Sequence, residues 1–174
     1  MKDKKSLIII LTILIVVIIG GIYYMKNNKT KGVSGFVQEE YSIKNATKKN
    51  FLIKIKEGYS EEIINMNLMD NFIQAIESKK NDEIYIIEYE RNENGEIVTS
   101  LKKLNYDGSE IKVLEYDVSN QKEFKEGETI TYKKITKTGD NFGARIVGTT
   151  SEVQPIMEGD VLFQYVESNK VEYE

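Results

Sequence analysis

The 174-residue sequence has no cysteine, no histidine and no tryptophan, a single proline, and only two arginines, Arg91 and Arg145. Each absence closes off a chemistry. Without cysteine there is no disulfide framework, no thiolate nucleophile and no residue for lipid attachment. Without histidine, neither Ser–His–Asp nor Cys–His catalysis can be assembled, and the usual zinc sites lose their ligands. Neither phosphate-cradling glycine pattern, G-x-x-x-x-G-K-[ST] or G-x-G-x-x-G, occurs. No cofactor is implied.

Charge is present but unevenly spread. Residues 1–31 hold six lysines against Asp3, a net of +5, so the rest of the chain must carry −9 to give the −4 of the whole. Such an acidic remainder repels phosphates, which excludes nucleic acid as a partner.

Leu7 to Tyr24 is an uncharged apolar run of 18 residues. As a helix it would span about 27 Å, close to the thickness of a bilayer core. It is too long for a core helix in a domain of this size. No small-residue cleavage site follows Gly20-Gly21. The expectation is a single-pass anchor bounded by Leu7 and Tyr24, with the bilayer as its partner. A short cytoplasmic stub (1–6) precedes the anchor (7–25). A partly ordered tether (26–50) then leads to an extracytoplasmic domain (51–174). Lysines flank the run on both sides, so orientation rests mainly on the short basic leader staying inside.

Beyond the tether, Phe36, Val37, Tyr41 and Ile43 suggest weak strand character. Asn45-Ala46-Thr47 matches a glycosylation acceptor, of little weight in a Lys-, Asn- and Ile-rich chain of bacterial appearance. Phe51–Lys56 alternates as a half-buried strand, with Lys54 and Lys56 on the wet face, and Gly58 ends it. An amphipathic helix follows. Asn67 caps it, Asp70 favours its positive end, and Leu68, Phe72 and Ile76 form its core stripe, with Met69 and Ile73 beside them. Ser60, Glu61 and Glu62 could begin that helix earlier. Glu83–Arg91 is apolar on both faces, the mark of a central strand. Asn94-Gly95 and Asp107-Gly108 predict hairpins, the first through a type I′ turn. In Glu110–Val118 the apolar face switches, which predicts a bulge. Strands are expected at Thr129–Lys137, Phe142–Gly148 and, last, Val161–Val166. The expected fold is α+β: one amphipathic helix packed on an antiparallel β-meander, preceded by a single N-terminal transmembrane helix.

From Asn67 to about Ser151, the helix NLMDNFIQAIESKK, the strand EIYIIEYER, the piece SLKKLNYDGSEIKVLEYD and the later YKKITKTG resemble a domain-of-unknown-function family of small bacterial extracytoplasmic lipoproteins. The resemblance implies a surface location and an α+β fold, and no activity. This chain departs from the family pattern in having an apolar segment where relatives often carry a lipidated cysteine. It also lacks the cysteine pair that relatives often have in the last strands.

Three sets of residues could carry chemistry. Glu90, Asn92, Asn94 and Gly95 begin an EF-hand-like pattern, but Leu101 stands where the bidentate glutamate is needed, so no metal site is expected. Glu88 with Glu90, and Glu115 with Asp117, fall two apart on strands and could form an acid–base pair, although a solvated sheet face has the same pattern. Tyr85, Tyr89, Tyr116 and Tyr132 could line a binding face, with Tyr106 on a strand nearby. Core packing with hydroxyls at the rim is the plainer expectation. Each arginine is expected to pair with a carboxylate. The chain is thus expected to be a non-enzymatic, membrane-anchored binding module of the cell envelope, with an unidentified protein or envelope partner. The alternatives are a carboxylate-dependent envelope hydrolase and an anchored regulator of a neighbouring membrane protein.

Overall fold

The computed structural model describes residues 39–140, 143–166 and 170–171. The segment Leu7–Tyr24, its stub and most of the tether lie outside the described residues. Among the described residues no helix is long and apolar enough to cross a membrane.

The domain is mixed α+β and mostly sheet. Its strands are β1 (Leu52–Glu57), β2 (Ser60–Ile64), β3 (Asp82–Asn92), β4 (Gly95–Tyr106), β5 (Ile111–Asp117), β6 (Lys125–Tyr132), β7 (Lys134–Asp140), β8 (Gly143–Thr149), β9 (Asp160–Tyr165) and β10 (Lys170–Val171). The helices are α1 (Ile43–Lys48) and α2 (Asn67–Glu77). Seven strands form one sheet in the order β10-β2-β1-β3-β4-β5-β6, and three form a second in the order β7-β8-β9. The antiparallel meander is therefore real in β3–β6 and in β7–β9. β1, however, runs parallel to β3, because the chain passes through β2 and α2 between them.

β3 sits in the middle of the large sheet and is covered on both sides, as its two apolar faces require. Ile84 and Ile86 face one core, shared with Met69 and Phe72 of α2 and with Ile146, Phe163 and Tyr165 of the small sheet. Ile87 and Tyr89 face the other, closed by Ala46 of α1 and by Tyr41, Val118 and Phe124. A bulge keeps the partner strand in step: Glu88 pairs with Ser100 but Tyr89 with Val98, leaving Thr99 extra. The shift turns Val98 into the same core as Leu101. The bulge expected in β5 lies between Leu114 and Tyr116 in its pairing with β6.

Several sequence expectations need correction. Tyr41 and Ile43 are not strand: Glu39–Tyr41 is a 3₁₀ turn, and α1 begins at Ile43 with Ser42 accepting the Asn45 N–H. Asn45 lies inside that helix with its amide donating to the Glu39 carbonyl at 2.6 Å, a poor conformation for a glycosylation acceptor. Ser60–Glu62 is strand rather than early helix, because β1 and β2 form a hairpin whose tip holds Gly58 at φ 58°. Asn67 is the first helical residue of α2, and Met66 holds the cap position without a side-chain bond. The carboxyl end closes instead on Lys79 at φ 54°, with the Lys79 and Lys80 N–H groups donating to the carbonyls of Ile76 and Ala75. This Schellman arrangement usually uses glycine. In the first β3–β4 hairpin the turn residues are Glu93 and Asn94, with Asn92 paired to Gly95. Only Gly95 takes positive φ, and the Asn92 side chain accepts the Asn94 N–H at 2.9 Å, so the turn is not type I′. The strand expected at Thr129–Lys137 breaks at Lys133, where the chain leaves the large sheet for the small one. Val161–Val166 is not the last strand, since β10 follows and pairs with β2.

The outer edge of β9 is occupied by side chains. The Lys102 and Lys54 ammonium groups donate to the carbonyls of Leu162 and Gln164, at 3.3 and 2.7 Å. Glu61 accepts the Val166 N–H at 2.6 Å. Groups that could otherwise pair with a further strand are thereby satisfied.

Candidate functional site

The four sequence-nominated tyrosines separate into two kinds. Tyr89 and Tyr132 are core residues, each about 1% exposed. The Tyr89 hydroxyl donates to the Tyr41 carbonyl at 2.6 Å, and that of Tyr132 to the Asp160 carboxylate at 2.9 Å. Tyr85 and Tyr116 are half-buried over the second core. Tyr85 stacks on Phe51 at 4.8 Å under the Lys103 ammonium, and Tyr116 packs against the same core. Tyr106 is buried in the first core.

Burial pushes the phenols of Tyr89 and Tyr132 well above their ordinary value of 10.0, with the carboxylates of Glu96 and Asp160, respectively, adding to the effect. Above about pH 10 the unfolded chain releases phenolic protons that the folded chain retains. The stability contributed by these groups is therefore complete below pH 10 and declines as pH rises beyond it. Urea midpoints measured from pH 8 to 11.5 should fall across the upper part of that range, and the fall should be shallower in Tyr89→Phe. An equal slope in the variant would exclude the assignment for Tyr89.

Glu88 and Glu90 both line a small hollow of about 280 Å³, together with Lys54, Lys56 and Thr99. Glu88 faces Lys54 at 3.5 Å, whereas Glu90 is exposed. Glu115 pairs with Lys102 at 3.2 Å, whereas the Asp117 pKa is lowered by hydrogen bonding from the Ser119 side chain and then from the Ser119 N–H, the latter at 2.9 Å. Among the described residues no group of carboxylates is arranged to hold a metal ion.

The arginines differ. Arg91 donates to Glu96 at 2.8 Å and lies 3.5 Å from Glu57, as expected. Arg145 has no carboxylate partner among the described residues, contrary to expectation. It lies on the outward face of β8, opposite Thr138 of β7 and Gln164 of β9, both neutral.

Arg145 lines a cleft of about 450 Å³ on the outer face of the small sheet. Thr138, Val147, Val161 and Gln164 form its floor, and Ile156, Met157 and Gly159 of the loop before β9 form one wall. Lys54, Glu61 and Val166 close one end. Met157 is 98% exposed, and Val161, Ile156 and Val166 are also exposed, giving an apolar rim beside the cation. The size and mixed lining are those of small-ligand sites. Arg145, Lys54 and Glu61 are visible in the sequence, but nothing there brings them together with Ile156 and Met157. The available signal was Val153, Ile156 and Met157 clustered around the lone Pro155, and an arginine in GARIVG with no acid within four residues on either side. What makes them a site is the pairing of β8 with both neighbours, which no local pattern reveals.

Comparison with protein-family models, with curated proteins and with solved structures gives no match.

Proposed function

We propose that the protein is a membrane-anchored binding module of the cell envelope, held by Leu7–Tyr24 and taking its partner in the cleft on the outer face of β7-β8-β9. The observation that carries this reading is the cleft itself: about 450 Å³, walled by exposed Ile156 and Met157 and lined by Arg145, which has no carboxylate partner among the described residues. Exposed apolar side chains grouped beside a solvent-facing cation are a common mark of a binding surface. The tyrosines favour the same choice, since Tyr89 and Tyr132 are occupied in the core. Glu88 and Glu115 are engaged by lysines and Asp117 by a backbone N–H, which favours binding over hydrolysis.

The test is made on intact cells. A photo-crosslinking residue in place of Met157 should capture a discrete partner, whereas the same residue at exposed Lys48 of α1, on the helix that closes the second core, should not. External protease added to the same cells should remove the domain and leave a membrane-embedded fragment containing Leu7–Tyr24. Equal capture at both positions would remove the cleft from the proposal, and a domain resistant to protease only until the cells are opened would reverse the orientation.

A further inference from the structure

We infer that the occupant of the cleft, on the binding reading above, is an apolar group ending in a carboxylate, with the carboxylate seated on Arg145. The domain is acidic, so an anion approaches it against the net field unless a specific cation holds it. Arg145 is such a cation, and the contrast with Arg91, which has two carboxylates of its own, shows what it lacks. A guanidinium offers a planar fork of N–H donors that fits the two oxygens of a carboxylate. Its cross-strand neighbours, Thr138 and Gln164, are neutral groups able to complete the hydrogen bonds around such an anion.

The other charges at the cleft are already engaged. Glu61 accepts the Val166 N–H and lies 3.7 Å from Lys54, and Lys54 donates to the Gln164 carbonyl. Among the described residues one positive charge, Arg145, is left without a carboxylate, which suits a singly charged carboxylate better than a doubly charged phosphate in so acidic a domain. The apolar part of the ligand is set by the remaining lining. Val147 and Val161 face each other across β8 and β9, and Ile156 and Met157 stand beside them. A branched aliphatic body of a few carbons fits between these side chains with its acid group over Arg145. Such a group occurs both in a free short-chain acid and at the end of a peptide finishing in Val or Leu.

The experiment uses the full chain in lipid nanodiscs, with methyl labelling of its five methionines. Met157 reports the cleft, while buried Met66 and Met69 report the fold. The probes are 4-methylpentanoate and acetyl-Val-Leu, each compared with its amide. Titration with at least one of the acids should shift the Met157 methyl signal while Met66 and Met69 stay in place, and its amide should bind at least tenfold more weakly. Arg145→Gln should lose the acid at least tenfold with the Met66 and Met69 signals unchanged, and Arg145→Lys should recover part of it. Binding of the free acid alone would identify a small-molecule site, and binding of the peptide alone a chain-terminus site. Equal affinity for acid and amide, undiminished binding by Arg145→Gln, or no Met157 shift with either acid would overturn the carboxylate assignment. Crosslinking from position 157 would still stand in those cases. Failure of that crosslinking would instead overturn the cleft as the site of binding.

Discussion

Gly148→Ala is expected to destabilise the domain by about 3 kcal/mol, toward the upper end of what overpacking a core costs. A Cβ at position 148 would lie 2.6 to 2.9 Å from three ring carbons of Tyr132. That ring is about 1% exposed and is fixed at its far end by the hydroxyl bond to Asp160. It cannot swing aside without abandoning both its packing and its hydrogen bond. The backbone angle at Gly148 is not the reason for glycine there; space is. Tyr132→Ala alone should cost about 3–5 kcal/mol through the cavity it leaves. In that background Gly148→Ala should cost less than about 1 kcal/mol, because the clash has gone. Urea unfolding of the four proteins closes the cycle, and additive losses would mean that the ring is not what excludes the methyl group. Against a total stability of about 5–15 kcal/mol, either single change removes a large share.

Lys54→Ala should cost about 2–3 kcal/mol. The lysine side chain is 15% exposed, and the Glu61 and Glu88 carboxylates beside it are 17% and 25% exposed. Removing one partner strands the others, and that penalty reaches about 3–5 kcal/mol in fully buried pairs. The ionic distances here, 3.7 and 3.5 Å, are long, which places the expected loss at the low end. The variant also loses the hydrogen bond to the Gln164 carbonyl at 2.7 Å and the ammonium over the Phe163 ring. If stranded charge is the main cause, Lys54→Ala made together with Glu61→Gln and Glu88→Gln should recover at least half of the loss. A triple variant no more stable than the single one would attribute the effect to packing instead.

Lys54 also illustrates what could be read from the sequence. Alternation in Phe51–Lys56 identifies the strand but places Lys54 in solvent, because the period-two rule knows only two faces. In the fold one face is buried by Leu52 and the other by Ile53 and Ile55, and the lysine reaches β9 from the edge of a core. Glu83–Arg91 could be read correctly as central because both of its faces are apolar in sequence. The α2 stripe was equally plain: Met69 and Phe72 are buried, and Leu68, Ile73 and Ile76 pack against them. Ser60–Ile64 could not be read, since Ser-Glu-Glu looks like a helix start until β1 supplies its pairing partner. The change of sheet at Lys133 was invisible for the same reason: Thr129–Lys137 is one uninterrupted strand pattern, and only the location of its partners divides it. The site shared that fate. Among the described residues Arg145 has neutral Thr138 and Gln164 beside it because of how β7 and β9 pair with β8, and the sequence around it says nothing of either.

The bonds along β9 have a consequence for the order in which the domain can be completed. Lys54 meets its acceptor 110 residues further along the chain, Glu61 meets Val166 after 105, and Lys102 meets Leu162 after 60. Contacts of such separation form late, because the intervening chain must first be brought together. During synthesis from the amino terminus, β1 to β5 can pair while the face carrying Leu52, Ile86 and Leu104 still lacks Ile146 and Phe163. β10 likewise reaches β2 only once residue 171 is available. A chain emerging at the usual pace of about 5–20 residues per second thus spends several seconds with its principal core half roofed. The last strands close the fold, and until they arrive the partly made domain is most open to unwanted association.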